Sequence, residues 1–355
     1  MNIFPLPAPI FILKCLLYLT FFLHAILFSL VLGGSLIIAI YVFKGKEKHL
    51  LISEQMASRL PYLMAFTITF GIAPLLFIQS IYPVLFYNSA LNFSTPFLLV
   101  LLNVFISYVL IYIGTKNWEK LKKWKGLIYL LVGVLLSFVM FVYNNIFAFL
   151  EEAKDNPLLF RVNRSGFDFY TESPTLLPRF LHFFFASFAL GGLWVAIWGT
   201  MKLKKEPEQG RWQYRSGATN FASATLLVIL SGVWWFFAIP QETTKIVMGK
   251  NIILTILFGL LVISSVVSLI FALLGLNSIK PDFFLKVVGY LSAINIFFMI
   301  ILRDVLRDEN LKGVMNFAEM KVRFNGIAFL FFVLFFAVVI FTIYDLYRRI
   351  KKETK

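Results

Sequence analysis

Two histidines stand in the same phrase written twice. Phe22-Leu23-His24 is followed by Ser29, Leu32, Gly33 and Gly34, and Phe180-Leu181-His182 by Ser187, Leu190, Gly191 and Gly192. The chain holds 3 histidines and 42 phenylalanines among 355 residues, so the repeated His and Gly-Gly carry the signal and the Phe-Leu matches do not. An imidazole buried in apolar surroundings needs a partner for each nitrogen. Haem iron satisfies one of them, and a backbone carbonyl or a water takes the N–H of the other. His24 and His182 are therefore the candidate axial ligands of haem iron. The third histidine, His49, falls in a basic segment and is expected to be solvated.

The helices that carry these histidines must also pack. Ser29 and Gly33 are four residues apart, as are Ser187 and Gly191, so each pair shares a helix face. Small residues at that spacing let membrane helices approach closely. At about 100° per residue, each glycine nine positions on lies near the face opposite its histidine. Lys44 follows His24 by 20 residues and Lys202 follows His182 by 20 residues. Both imidazoles are thus expected at one level, about 30 Å from the inner boundary and close to the outer face.

Composition supplies the surrounding architecture. With 60% hydrophobic and 14% charged residues, and a mean hydropathy of +0.84, the chain is expected to be a polytopic membrane protein. Nine apolar stretches are long enough to span, roughly 14–43, 60–83, 95–115, 126–150, 178–200, 217–238, 251–275, 284–302 and 325–347. The first lacks the flanks of a cleaved signal peptide and is expected to be retained. Every odd-numbered span ends in a basic segment: Lys44 to Arg59, Lys116 to Lys125, Lys202 to Arg215, Lys280 to Lys286, and Arg348 to Lys355. These carry 21 Lys and Arg against 7 acids. The bias places the N-terminus outside and the C-terminus in the cytoplasm. It accounts for the net charge of +15 without a nucleic-acid partner. The single cysteine, Cys15, excludes an internal disulfide, a CxxCH haem attachment and a four-Cys iron–sulfur site; it reads as a small apolar helix residue.

The predicted fold is all-α integral membrane, with two parallel four-helix repeats plus one C-terminal helix. Residues 1–150 form the first repeat, 151–179 an outer loop, 180–302 the second repeat, and 303–355 an outer segment, the ninth helix and a basic tail. The second spans are alike only in Gly71-Ile72 against Gly232-Val233 and in Pro83 against Pro240. The outer loop, with Arg161, Asn163, Arg164, Asp168, Tyr170 and Glu172, is long enough to fold over the outer surface. Arg303, Asp304, Arg307, Asp308 and Glu309 form a charged run at the outer end of the eighth span, which reads either as an interfacial salt-bridge cluster or as a hold for a cofactor carboxylate. Arg303 and Arg307, with Arg179 three residues before His182, are candidate partners of haem propionates.

The first-span His24 ahead of Leu32-Gly33, the fifth-span His182 ahead of Leu190-Gly191, and the nine-span layout together resemble subunit I of cytochrome bd-type quinol oxidases. The resemblance implies that both histidines are haem ligands near the outer face. Several family features have no counterpart here. The second span reads Gly71-Ile72-Ala73-Pro74-Leu75-Leu76, without the family's glutamate. Only about Pro240 to Lys250 replaces the long quinol-binding loop, and residues 251–275 contain no methionine. The Gly-Arg-Gln-Pro-Trp signature is at best echoed by Leu302-Arg303-Asp304-Val305-Leu306-Arg307.

These readings converge on a b-type cytochrome-like subunit of a bacterial or archaeal cytoplasmic (inner) membrane. It would bind haem b, either one haem between the two histidines or two haems with separate second ligands. It would pass electrons near the outer face between membrane quinol and a periplasmic c-type cytochrome or other redox subunit, within the lipid bilayer. The chain can belong to a quinol-linked oxidoreductase, but oxygen reduction by the chain itself is not expected. A haem-free quinone-binding or structural subunit of a respiratory complex is the alternative reading, and a transporter the third. Acids are almost absent from the spans, which counts against a cation-coupled carrier.

Overall fold

The computed structural model describes residues 5–152, 166–167, 169–315 and 320–353. The chain folds as helices α1 (Ile10–Lys44), α2 (Glu47–Ala57), α3 (Leu60–Ile81), α4 (Pro83–Asn92), α5 (Ser94–Lys116), α6 (Trp124–Glu151), α7 (Leu176–Lys202), α8 (Pro207–Ala238), α9 (Gln241–Lys245), α10 (Ile252–Gly275), α11 (Pro281–Asn310) and α12 (Gly326–Glu353). A π-turn over Ile246–Lys250 joins α9 towards α10. Among the described residues, α1, α3, α5, α6, α7, α8, α10 and α11 are the eight helices long and apolar enough to cross a membrane. The apolar stretch of α12 is shorter, Phe329–Thr342. The protein is a multi-pass helical membrane protein.

Local chemistry sets the helix ends. Gly45 takes a left-handed φ of 64° and donates its N–H to Tyr41 and Val42, closing α1. Pro83, Pro207 and Pro281 open α4, α8 and α11, where a missing N–H costs nothing. Asn251 caps α10 by accepting from the N–H groups of Ile253 and Leu254. Before α1 the chain is extended, and Leu6 donates its N–H to Lys321 at 2.8 Å while accepting that of Arg323 at 2.8 Å.

Helices α1 and α7 lie at the centre. α1 packs on α3, α6 and α7, whereas α7 packs on α8; α5 leans on α6, and α10 on α8 and α11. The two motif helices meet on their glycine faces. A Cβ added to Gly191 would lie 2.8 Å from the Gly33 carbonyl carbon, and one added to Gly33 would collide with the Ser187 carbonyl.

Two segments differ from expectation. Residues 47–57, read as part of a solvated basic loop, form α2, which buries His49, Ile52, Ser53, Met56 and Ala57. His49 is not solvated: its ring stands edge-on to Tyr41 at 4.8 Å and to Trp212 at 4.9 Å. Burial, and then the cations Lys44 and Lys46, hold its pKa below the usual imidazole value. The reason is helix packing, since the one His49 ring is held between Tyr41 of α1 and Trp212 of α8. Of the outer loop, Arg161, Asn163, Arg164 and Asp168 lie outside the described residues. Its described flank packs on the tops of α5 and α6: Thr95 donates its N–H to Gly166 at 2.9 Å, and the Tyr170 ring meets Phe149 at 5.3 Å.

Candidate functional site

Each imidazole is held by the same device. His24 Nδ1–H donates to the Thr67 carbonyl at 3.0 Å, and His182 Nδ1–H donates to the Val228 carbonyl at 3.0 Å. A carbonyl only accepts, so the bond fixes the proton on Nδ1 and leaves Nε2 with its lone pair. Among the described residues neither Nε2 has a hydrogen-bond partner.

The supporting helices repeat the arrangement as well. Gly71, one turn after Thr67, faces His24, and a Cβ there would lie 2.7 Å from the imidazole Cε1. Gly232, one turn after Val228, faces His182 at 3.3 Å. The Gly71-Ile72 and Gly232-Val233 likeness therefore marks the room made for the two rings. Because the glycine faces of α1 and α7 are turned on each other, the imidazoles leave towards different helices, α3 and α8. Around them the central helices open: residues 21–30 and 180–186 are all partly exposed, while 31–35 and 189–196 are all buried.

Beyond the imidazoles, towards the N-terminal ends of α1 and α7, the charged run of α11 enters a buried ionic network whose partners on other helices the sequence did not disclose. Glu151, at the end of α6, accepts from Arg179 at 2.6 Å and from Arg307 at 3.2 Å, and Arg303 stands 3.8 Å away. Arg307 also pairs with Asp304 at 2.9 Å. Asp304 in turn holds Lys14 at 2.8 Å and accepts from Tyr18 at 2.7 Å and from Tyr82 at 3.2 Å. Asp308 pairs with Lys14 and accepts from Tyr82 at 2.7 Å. The network thereby ties α1 and α3 to α6, α7 and α11.

The three arginines singled out from sequence do come together, but their donors are not equally engaged. Arg307 spends its nitrogens on Glu151 and Asp304. Arg179 is buried, and among the described residues its Nε and Nη1 have no hydrogen-bond partner. Arg303 lies over the ring of Phe183, the residue after His182, at 4.9 Å, and among the described residues its one ion pair is the long contact to Glu151. Glu151, Arg179, Trp235, Thr243, Arg303 and Arg307 line a small cavity. Trp235 stands one turn beyond Gly232 on α8. Among the described residues no cluster of three or more His, Cys, Asp or Glu forms a bare metal site.

A free Nε2 on a partly open helix surface, with unpaired guanidinium donors a few residues outward, fits an iron porphyrin with anionic side chains. His24 and His182 could each offer an imidazole to such a group, while Arg179 and Arg303 face the Glu151 carboxylate in this structure.

The fold and site define a polytopic helical membrane protein with two matched intramembrane imidazoles. Neither a protein-family model nor a curated protein matches the chain. Among solved structures its fold is similar to that of the bd oxidase from Geobacillus thermodenitrificans, with a TM-score of 0.81 and 17% sequence identity. The likeness covers 98% of this chain and 100% of that chain. The resemblance to bd oxidase is thus one of the whole fold, at a distant sequence relationship.

Proposed function

We propose that this chain is a membrane b-type cytochrome-like subunit that transfers electrons near the outer membrane face, between quinol and a periplasmic redox partner such as a c-type cytochrome. One observation carries the reading: both imidazoles donate Nδ1–H to a helix carbonyl and keep Nε2 free to ligate. An iron porphyrin held there supplies one-electron redox chemistry. His24 and His182 would each hold one such group through Nε2, at two separate sites, since the rings lean on α3 and α8 rather than on each other. Arg179 and Arg303 receive propionate at the His182 site; Arg307 supports them by holding Glu151 in place.

The layout that goes with this function is two parallel four-helix repeats, residues 1–150 and 180–302, joined by the outer loop 151–179. The segment 303–355 supplies α12 as a ninth span. The N-terminus lies outside and the C-terminus in the cytoplasm of a bacterial or archaeal inner membrane. The matched Thr67/Gly71 and Val228/Gly232 pairs support the repeat, and the basic inner segments support the orientation.

The test is the haem content of the purified full chain, expressed in haem-replete cells and assayed as the pyridine haemochrome. Haem b is expected at both imidazoles, and so in twofold amount. A folded, colourless protein would overturn the proposal and favour a haem-free subunit.

A further inference from the structure

At the other, basic end of the bundle a polar stripe runs along α8. Gln209, Gln213, Ser216 and Asn220 recur at spacings of four, three and four residues, so at about 100° per residue they share one helix face. That face meets the end of α1. The Tyr41 hydroxyl shares a hydrogen bond of 2.6 Å with Ser216 and accepts from Asn220 Nδ2 at 2.9 Å. His49 of α2 closes the junction, its ring edge-on to Tyr41 and to Trp212, the residue before Gln213.

The side chains of this junction do not satisfy one another. His49 Nδ1, Gln209 Nε2, and both Nε2 and Oε1 of Gln213 are buried with no hydrogen-bond partner among the described residues. Gln213 is 0% exposed and His49 8%. An amide buried without partners bears the full cost of losing its hydration. An anion would meet the Gln213 carbonyl oxygen and a metal cation the amide N–H groups, whereas water both donates and accepts, making about three bonds when buried. Beyond Asn220 the stripe continues with Ala224 and Leu227, so its polar part ends about 16 Å from Gln209. At the solvent edge Lys48 of α2 pairs with exposed Glu208 of α8 at 3.0 Å.

We propose that the junction of α1, α2 and α8 is a water-binding inlet, in which about one or two bound waters bridge Gln209, Gln213 and His49. The inlet keeps the His49 ring and the Tyr41 hydroxyl in proton exchange with solvent at the basic end. Ala224 and Leu227 close it before it reaches the intramembrane imidazoles. The inlet needs no haem at His24 or His182, and so stands apart from the electron-transfer reading.

The experiment is X-ray hydroxyl-radical footprinting of the full chain in detergent, read by mass spectrometry. Radiolysis splits bound water where it sits, and the radicals oxidise the nearest side chains. Tyr41 is 1% exposed and Tyr129 0%, and both belong to one core, so bulk solvent reaches neither. Tyr41 should nevertheless be oxidised severalfold faster than Tyr129, whose hydroxyl is bonded to Thr115 at 3.1 Å. Gln213→Leu, which removes both amide atoms at similar volume, should bring Tyr41 close to the Tyr129 rate. Rapid mixing into heavy-oxygen water just before exposure should place the heavy isotope on Tyr41. Equal rates for the two tyrosines in wild type would overturn the proposal without any variant. So would a folded Gln213→Leu protein that oxidises Tyr41 at the wild-type rate, or a Tyr41 product free of the heavy isotope, which would mark trapped water and no inlet.

Discussion

The hydroxyls of Ser29 and Ser187 share a hydrogen bond of 3.1 Å, and the two residues occupy corresponding positions of the repeated phrase, 158 residues apart. The motif helices thus meet about equivalent points, with Gly33 against Gly191 one turn inward. A seam built on matched positions turns both histidines away from itself. Close packing and ligand presentation are therefore consequences of one helix periodicity.

The seam leaves no room for a side chain at Gly33, where a Cβ would meet backbone rather than a movable group. Gly33→Ala is expected to cost about 1–3 kcal/mol through forced separation of the helices. Gly259→Ala, with nothing within 4 Å of the added Cβ, should be neutral or slightly stabilising. Thermal unfolding of both variants in one detergent provides the comparison.

The two imidazole supports differ in tolerance. A Cβ at Gly71 would sit 2.7 Å from the His24 ring, but at Gly232 it would sit 3.3 Å from the His182 ring. Gly71→Ala should therefore displace His24 and alter or remove the spectral contribution of that site, while Gly232→Ala needs a shift of only a few tenths of an ångström. Low-temperature absorption spectra of the two variants, each compared with its histidine knockout, check the order of severity.

Glu151 is the carboxylate on which three arginines converge, and its side chain is 9% exposed. Glu151→Gln leaves buried guanidinium charge uncompensated and is expected to cost about 3–5 kcal/mol, as does breaking a buried ion pair from one side. Glu208, 92% exposed in its pair with Lys48, gives the contrast: Glu208→Gln should cost less than about 1 kcal/mol. Detergent-solubilised melting curves distinguish the two.

His49 predicts a pH dependence with a definite sign. Its pKa is depressed in the folded protein by burial and by Lys44 and Lys46, so the unfolded chain binds the extra proton first. Stability should be full above the unfolded value of about 6.5 and should fall as the pH drops below it. His49→Phe should flatten that slope. Unfolding temperatures measured between mildly alkaline and mildly acidic buffer test it; an equal slope in the variant would assign the dependence elsewhere.

What the sequence makes legible is what repeats locally. Hydropathy marks the long helices, the basic segments mark alternate ends, and the spacing from His24 to Gly33 and from His182 to Gly191 sets the two faces of each motif helix. The weak Gly71/Gly232 likeness corresponds to a shared placement, each glycine facing an imidazole. The Arg307–Asp304 pair lies within a run legible as a salt-bridge cluster, but its cross-helix partners were not legible, since Lys14, Glu151, Arg179 and Asp304 lie on four helices far apart in sequence and only packing brings them together. Glu151 read as the start of an outer loop, yet it ends α6 and faces inward. His49 escaped for the same reason: its partners Tyr41 and Trp212 come from α1 and α8.

The central claim is that His24 and His182 ligate haem at separate sites. Reduced-minus-oxidised spectra of wild type, His24→Ala, His182→Ala and the double variant test it most directly. Each single variant should keep part of the b-type band and the double variant should lose it all. An undiminished band in the double variant, or complete loss in either single variant, would contradict the account.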